Sequence, residues 1–504
     1  MGMNKIFAIM LAALAATTGA YAQNVKKYTT ARDGALWEES TIRLQAKAGG
    51  EAALRADAGA AGPALRAWGT TFNELDWDAF NLLDRATQDE VMRRLFAPDG
   101  DLRFTRGRIS MNCNDYGRSW YSCDEVPGDF ELRYFNIDRD KTSIIPLVRA
   151  AQRYNPGLTF WTSPWSPPSW MKINHDYPVV SSKYNNLSPE ADYLLFGNAE
   201  DVDEDEMKFL GERDGQFPRR LATQDYMIQD PRYLEAYARF FCRFIDEYAA
   251  QGVPIDMVVY QNEAYSYTPY PGCAWTAEGT IRFNRDYLAP ALKRHHPDVK
   301  LYIGTFNTNR QDHVERVLAD EGLRACISGA AFQWEGREIL PAIREQYPDL
   351  HYICSESECG NGDMDWKAAE HTLFLIADNM GKGCDEWYNW NFILTDHGES
   401  PWGWRQNALL QVDSRTRELR YTPEYYAVKH FSRLIPAGSR VTGYQAPAES
   451  RNALTIAFAT PDGGTVVVAG NFGDTDSDVS VDLGRRRLSD TLPPHSFASY
   501  VVRL

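Results

Sequence analysis

Two glutamates that end short apolar runs are the residues best placed to do chemistry in this sequence. Val258-Val259-Tyr260-Gln261-Asn262-Glu263 and Tyr352-Ile353-Cys354-Ser355-Glu356 each read as a strand closing in a polar cluster whose last member is a glutamate. Two carboxyl groups facing one another can cleave a glycosidic bond, one protonating the leaving oxygen while the other attacks the anomeric carbon. Asn262 adds an amide beside the first carboxyl, able to donate to the sugar hydroxyl next to the reacting carbon. An acid in that position needs a raised pKa, which burial and a neighbouring carboxylate supply. A single glutamate of this kind is more often a cap or a solvated surface group, so it is the pair that argues for chemistry. Glu358 competes with Glu356, because residues two apart on a strand face the same side.

The elements that must hold this pair follow from its spacing. The glutamates lie about 93 residues apart, which suits three strand-plus-helix units of roughly 31 residues in a (β/α)8 barrel, whose strands present catalytic groups at their C-terminal ends. Strands are expected over residues 65–71, 102–110, 158–163, 256–261, 300–305, 328–333, 351–355 and 387–390. Helices are expected over 86–95, 142–154, 231–251, 276–296 and 366–380. Eight strands separated by helices predict a closed parallel TIM barrel. Beyond Pro436 the segments 451–458, 464–471, 477–483 and 496–503 are short, β-rich and divided by Gly, Asp and Pro, as in the antiparallel strands of a β-sandwich. Residues 26–46 are also strand-like and are expected to complete that sandwich, since exposed strand edges must be paired or protected.

Lys5, an apolar stretch from Ile6 to about Ala16, and Gly19-Ala20-Tyr21-Ala22 have the layout of a secretory signal too short to span a bilayer. The expected organisation is therefore a signal peptide at 1–22, a sandwich-contributing segment at 23–62, the catalytic barrel at 63–435 and the β-sandwich at 436–504. A secreted or periplasmic protein with no membrane span is expected, and a monomer. The formal charge of −16 argues against a nucleic-acid partner, which needs clustered Lys and Arg. The 14 Trp and 27 Tyr are more informative, because flat aromatic faces stack on the C–H faces of sugar rings. Cys113 and Cys123 are candidates for a short-loop disulfide in an exported chain. The nine His are dispersed and no CxxC pair occurs, so no metal and no cofactor are expected. The acidic run Asp201-Val202-Asp203-Glu204-Asp205-Glu206, within the long connection at 186–220, lacks the ligand pattern of a calcium loop and reads as part of a solvated insertion near the barrel mouth.

The sequence resembles a known group at these motifs. Asn262-Glu263-Ala264 is similar to the acid/base motif of clan A glycosidases, and Ser355-Glu356-Ser357-Glu358-Cys359-Gly360 resembles the nucleophile segment of glycoside hydrolase family 30, the family of glucosylceramidase. Trp68-Gly69-Thr70-Thr71-Phe72-Asn73-Glu74 resembles that family's first barrel strand, and Arg108-Ile109-Ser110-Met111 through Asp115-Tyr116 its second. Ser163-Pro164-Trp165-Ser166-Pro167-Pro168-Ser169-Trp170-Met171-Lys172 is the most specific single match. Trp390-Asn391 and Tyr421-Thr422-Pro423-Glu424-Tyr425-Tyr426 complete the series, which runs in the family's order from about Pro63 to the C-terminus.

The resemblance implies a retaining β-glycosidase with Glu263 as acid/base and Glu356 as nucleophile. It places Asp115, Trp165, Asn262, Trp334 and Trp390 around the sugar, and it selects Glu356 over Glu358, which then lies past the strand end. One departure stands out: Gln333-Trp334-Glu335 replaces the His-Trp-Tyr of related glucosylceramidases. Glu335 is expected to turn into the following helix, because a third buried carboxylate beside two others is costly. A β-glucoside is the first expectation for the substrate, by β-glucosidase, β-1,6-glucanase or glucosylceramidase-like action. A β-xylosidase or xylanase, or a β-fucosidase or galactosidase, comes second, and a non-catalytic carbohydrate-binding protein is a remote alternative. Fold alone does not choose among these.

Overall fold

The computed structural model describes residues 24–47, 52–57, 59, 61–187, 224–448 and 452–503. The expected signal segment, the acidic run, and most of the 186–220 connection lie outside them. The chain divides into two compact units, Gly62–Val441 and the described parts of Met1–Ala61 with Thr442–Leu504.

The larger unit is a closed barrel of eight parallel strands. In chain order these are Ala67–Phe72, Arg106–Met111, Thr159–Pro164, Ile255–Val259, Lys300–Phe306, Gly329–Gln333, His351–Glu356 and Glu386–Asn389, called barrel strands one to eight below. Most of their residues are buried, as parallel strands covered on both faces by helices must be. An inward layer of Trp161, Met257, Val259, Tyr302, Ala331, Ile353 and Tyr388 fills the interior, so the barrel is a packed core and not a pore. Gly69 in strand one is required by this packing, since a Cβ there would lie 2.8 Å from the Arg106 carbonyl and collide with the Tyr388 ring.

Local sequence explains the helices that pack outside. Pro231–Ala250 starts at Asp230, whose carboxylate accepts from the Arg232 N–H, with Pro231 in the first turn. Its buried stripe runs through Leu234, Phe241, Ile245 and Tyr248. Trp366–Lys382 is capped by Asp365 and stops at Gly383, whose φ of 107° only glycine takes comfortably. The single helix expected over 276–296 is instead Ala277–Arg282, a π-turn at Phe283–Leu288, and Ala289–His295. Pro290 supplies no N–H for the regular ladder there, and the backbone widens to accommodate it.

In the smaller unit a six-stranded sheet has the order Arg440–Gln445, Ala453–Ala459, Thr465–Asn471, Ser496–Val502, Asn24–Ala31, Leu36–Arg43. Gln45–Ala46, Arg486–Leu492, Ser477–Asp482 and Leu54–Arg55 form a second sheet. Val25, Ala457, Val467, Val481, Leu488 and Tyr500 are part of the shared core. The N-terminal strand pairs antiparallel with the last one, Lys26 opposite Val501 and Thr30 opposite Phe497. Arg486–Leu492 is a strand that the sequence reading missed, because Arg485-Arg486-Arg487 and Asp490 hide an alternation carried only by Leu488 and Leu492.

Candidate active site

Glu263 follows strand four and Glu356 is the last residue of strand seven, so both stand at the C-terminal rim of the barrel. The group that connects them is Arg108 on strand two, fully buried and aimed inward. Its Nη1 donates to Glu356 Oε2 at 2.7 Å and its Nη2 to Asn262 Oδ1 at 2.6 Å. Further bonds run to Ser163 Oγ at 3.1 Å and the Ser355 carbonyl at 3.3 Å. The guanidinium plane is packed among Trp165, Trp161 and Trp390, with ring centroids 4.5, 4.8 and 5.4 Å away. A guanidinium only donates, so it orients the Asn262 amide with oxygen inward and leaves the amide N–H group directed to a ligand.

Gln333, at the end of strand six, is the second organiser. Its Nε2 donates to Glu263 Oε1 at 2.7 Å and to Asn262 Oδ1 at 3.3 Å, while its Oε1 accepts from Ser355 Oγ at 3.0 Å. The Glu263 N–H donates to Thr305 Oγ1 at 2.9 Å. Glu263 and Trp334 both take left-handed backbone conformations, with φ of 48° and 50°. Such strain in non-glycine residues persists only where surrounding bonds enforce it. Trp334 Nε1 completes the ring of contacts at 3.5 Å from Glu356 Oε1.

Three carboxyl groups therefore face one guanidinium. Burial, reinforced by the charge of Glu263, pushes Glu356 up to about 7, while Arg108 and Trp334 pull it back. Burial also raises Glu263, which is held down by Gln333, Ser266 and Arg108. Asp115, on the loop after strand two, is raised well above the carboxylate range by burial and by the charges of Glu356 and Glu263. Among the described residues its Oδ1 has no hydrogen-bond partner, and neither has Trp390 Nε1. Trp390 stacks on Trp165 at 5.1 Å and 30°. Buried polar atoms left unpaired at the floor of a site are what a hydroxylated ligand would satisfy.

All seven residues singled out from the sequence, Asp115, Trp165, Asn262, Glu263, Trp334, Glu356 and Trp390, meet around Arg108 and Gln333. The sequence reading assigned no role to Arg108, although an arginine inside Gly107-Arg108-Ile109 was the available signal. Gln333 was noticed only as a departure; the structure shows it bonding the Glu263 carboxylate. Glu335 lies in the turn that heads the helix Gly336–Gln346. Glu358 lies past the strand end and bonds Arg337 Nη1 at 2.5 Å and His371 Nε2 at 2.7 Å. Burial raises its carboxyl, but His371 and Arg337 outweigh that and hold it below the usual value. The suggested Cys113–Cys123 bridge is not formed: both are buried free thiols, packed as small apolar groups. Among the described residues no His, Cys, Asp and Glu cluster is placed to hold a metal, and no helix is long and apolar enough to cross a membrane.

Comparison with known proteins adds four findings. Residues 65–183 and 225–435 match the glycosyl hydrolase family 30 TIM-barrel domain, and residues 438–500 match the glycosyl hydrolase family 30 β-sandwich domain. The chain is similar to putative glucosylceramidase 1 of Caenorhabditis elegans, 25% identical over 467 residues that span 88% of this chain and 81% of that protein. It is also similar to the endo-1,6-β-D-glucanase BGN16.3 of Trichoderma harzianum, 22% identical over 86% of this chain and 83% of the relative. The fold superposes on that of SrfJ from Salmonella typhimurium with a TM-score of 0.80, covering 95% of this chain and all of that one at 21% identity.

Proposed function

The chain belongs to glycosyl hydrolase family 30, and on that premise we propose that it hydrolyses β-glucosides by double displacement, with Glu356 as nucleophile and Glu263 as acid/base. The observation that carries the assignment is the buried network in which Arg108 and Gln333 tie the two strand-end carboxyl groups to Asn262. Among the described residues Glu356 receives the only charged donor of that network, and because Arg108 pulls its carboxyl down against burial it is, of the coupled pair, the better place for negative charge. Glu263 receives neutral donors and is the better place for the shared proton. Attack by Glu356 on the anomeric carbon breaks the bond to the leaving oxygen as Glu263 protonates it. Glu263 then takes a proton from water, which displaces Glu356 and restores the β-configuration. The Asn262 amide and the unpaired Asp115 and Trp390 atoms meet sugar hydroxyls, while Trp165, Trp390 and Trp334 wall the ring.

Glucose is ranked first because relatives across most of the chain bear the names glucosylceramidase and endo-1,6-β-glucanase. Lys5 and the apolar run after it support export to the periplasm or medium. A monomer is sufficient, since one chain supplies the whole network. The test is an aryl β-glucoside assay of Glu356→Ala with and without azide. Loss of turnover with azide rescue giving an inverted glycosyl azide is expected; rescue of Glu358→Ala instead, with Glu356→Ala unaffected, overturns the assignment.

A further inference from the structure

The site is walled on one side by aromatic rings from loops after three different strands. Trp120 follows strand two, Tyr177 follows strand three, and Trp402 and Trp404 follow strand eight. Trp120 bridges them: its ring lies 4.9 Å from Trp402 and stacks 5.8 Å from Tyr177 at 17°. The wall is fastened rather than loosely apposed. The Tyr116 hydroxyl, on the strand-two loop, donates to the carbonyls of Gly398 at 2.7 Å and Trp404 at 3.3 Å on the strand-eight loop. Behind Tyr177, the buried ammonium of Lys172 donates to the carbonyls of Tyr177 at 2.6 Å, Pro178 at 3.1 Å and Gly272 at 2.8 Å. Trp402 is left only 5% exposed.

On the glycosidase reading, the Trp120–Trp402 part of this wall lies on the strand-two and strand-eight side of the barrel, across from strand four. The leaving oxygen must lie at Glu263, on strand four. The ring attacked by Glu356 extends from there toward Asp115 and Trp390, which come from strands two and eight. A chain continuing past that ring has to pass between the strand-two and strand-eight loops. A pyranose held between two aromatic rings needs about 7–8 Å between them, twice the usual 3.5–4.0 Å contact distance. The 4.9 Å between Trp120 and Trp402 is too narrow.

Resting on the glycosidase reading above, we infer that the enzyme is exo-acting, and that Trp120 and Trp402 are the specificity-determining residues that restrict it to the non-reducing terminal sugar of a β-linked oligosaccharide. The test is product analysis with β-1,6-linked glucose pentasaccharide and β-1,4-linked xylose pentasaccharide, each labelled at the reducing end. On whichever substrate is cleaved, monosaccharide and a labelled ladder shortening by one unit at a time are expected from the earliest time points. Unlabelled disaccharide or trisaccharide among the first products of the wild-type enzyme overturns the inference. Cleavage of the xylose substrate alone overturns the glucoside reading, while the product pattern still decides the exo inference. The paired variant Trp120→Ala/Trp402→Ala is expected to release unlabelled disaccharide early. If it is folded and keeps the wild-type pattern, the assignment to these two residues fails.

Discussion

Arg106 and Arg108 are two residues apart on one strand, both turned into the barrel, and each meets a buried glutamate. Their surroundings differ in one respect. At the base, Glu386 receives Arg66 at 3.2 Å, Arg106 at 3.7 Å and the Tyr388 hydroxyl, and Arg106 is further paired with Asp256 at 2.5 Å. Two cations there serve Glu386 and Asp256, with Asp385 close by and paired with His351, and both cations pull the buried Glu386 down. At the mouth, among the described residues, Arg108 alone serves Glu356, Glu263 and Asp115. The excess carboxyl groups cannot all ionise in a buried site, so part of the mouth must hold protons near neutral pH. The same pairing thus makes a structural plug when satisfied and a reactive centre when deliberately under-supplied with cation. This agrees with the general division of such barrels into a stabilising base and a catalytic rim.

The sharpest way to break the comparison is to remove one glutamate from each region. Glu356→Ala is expected to lower kcat by about 10⁴–10⁶-fold, on the scale seen when a nucleophile is removed, while the thermal midpoint stays near wild type or rises. Relief of crowding among three carboxyl groups is the reason stability does not suffer. Glu386→Leu is expected to do the reverse. It takes a buried acceptor from Arg66, Arg106 and Tyr388, although Arg106 keeps Asp256, a loss of about 1–3 kcal/mol, read by denaturant unfolding. Turnover per folded molecule should hold within a few-fold. If Glu386→Leu abolishes turnover in folded protein, the base is not merely structural.

The third substitution tests what Arg108 contributes beyond charge. Arg108→Met is expected to cost about 10²–10³-fold in kcat/KM, the usual scale for losing one preorganised electrostatic donor. It should also move the acid limb of the pH–rate profile upward. The sign follows from the carboxyl it bonds: Arg108 lowers Glu356, already pushed to about 7 by burial and Glu263, so removing the guanidinium raises it further and demands a higher pH to ionise the nucleophile. An acid limb that stays in place, or moves down, shows that Arg108 does not set the charge state of Glu356.

Much of this division was legible in the sequence, though unevenly. The eight strands, the sandwich, the two glutamates and Asn262 announce themselves, because apolar runs ending in polar clusters are local signals, whereas Asp115, Trp165, Trp334 and Trp390 are indicated only by the resemblance to the family. The two organisers were not, for a physical reason. Arg108 and Gln333 matter through partners 154 to 248 residues away for the first and 70 or 71 for the second, and nothing local marks which polar residue of a strand points inward. The ion-paired plug at the base was equally hidden, since Glu386 looks like an ordinary polar start to a strand. The π-turn at Phe283–Leu288 was missed because helical periodicity continues across it, with only Pro290 to betray the break.

The smallest expected effect comes from the carboxylate that sits between the two extremes. Glu358 is two residues beyond the nucleophile, yet it is matched by Arg337 and His371 and so belongs with the satisfied class. Glu358→Ala should therefore keep kcat within a few-fold of wild type. Its side chain is 23% exposed and His371 is 46% exposed, so screening limits the stability loss to about 1 kcal/mol. That contribution carries a definite pH dependence. The folded carboxyl is held below its usual value, so its stabilisation is fully present above the unfolded pKa and disappears as pH falls through the lower, folded one. Wild type and Glu358→Ala should differ in unfolding midpoint at neutral pH and converge in acid. A gap that widens in acid, or a kcat loss approaching that of Glu356→Ala, would move Glu358 out of the satisfied class and into the reacting one.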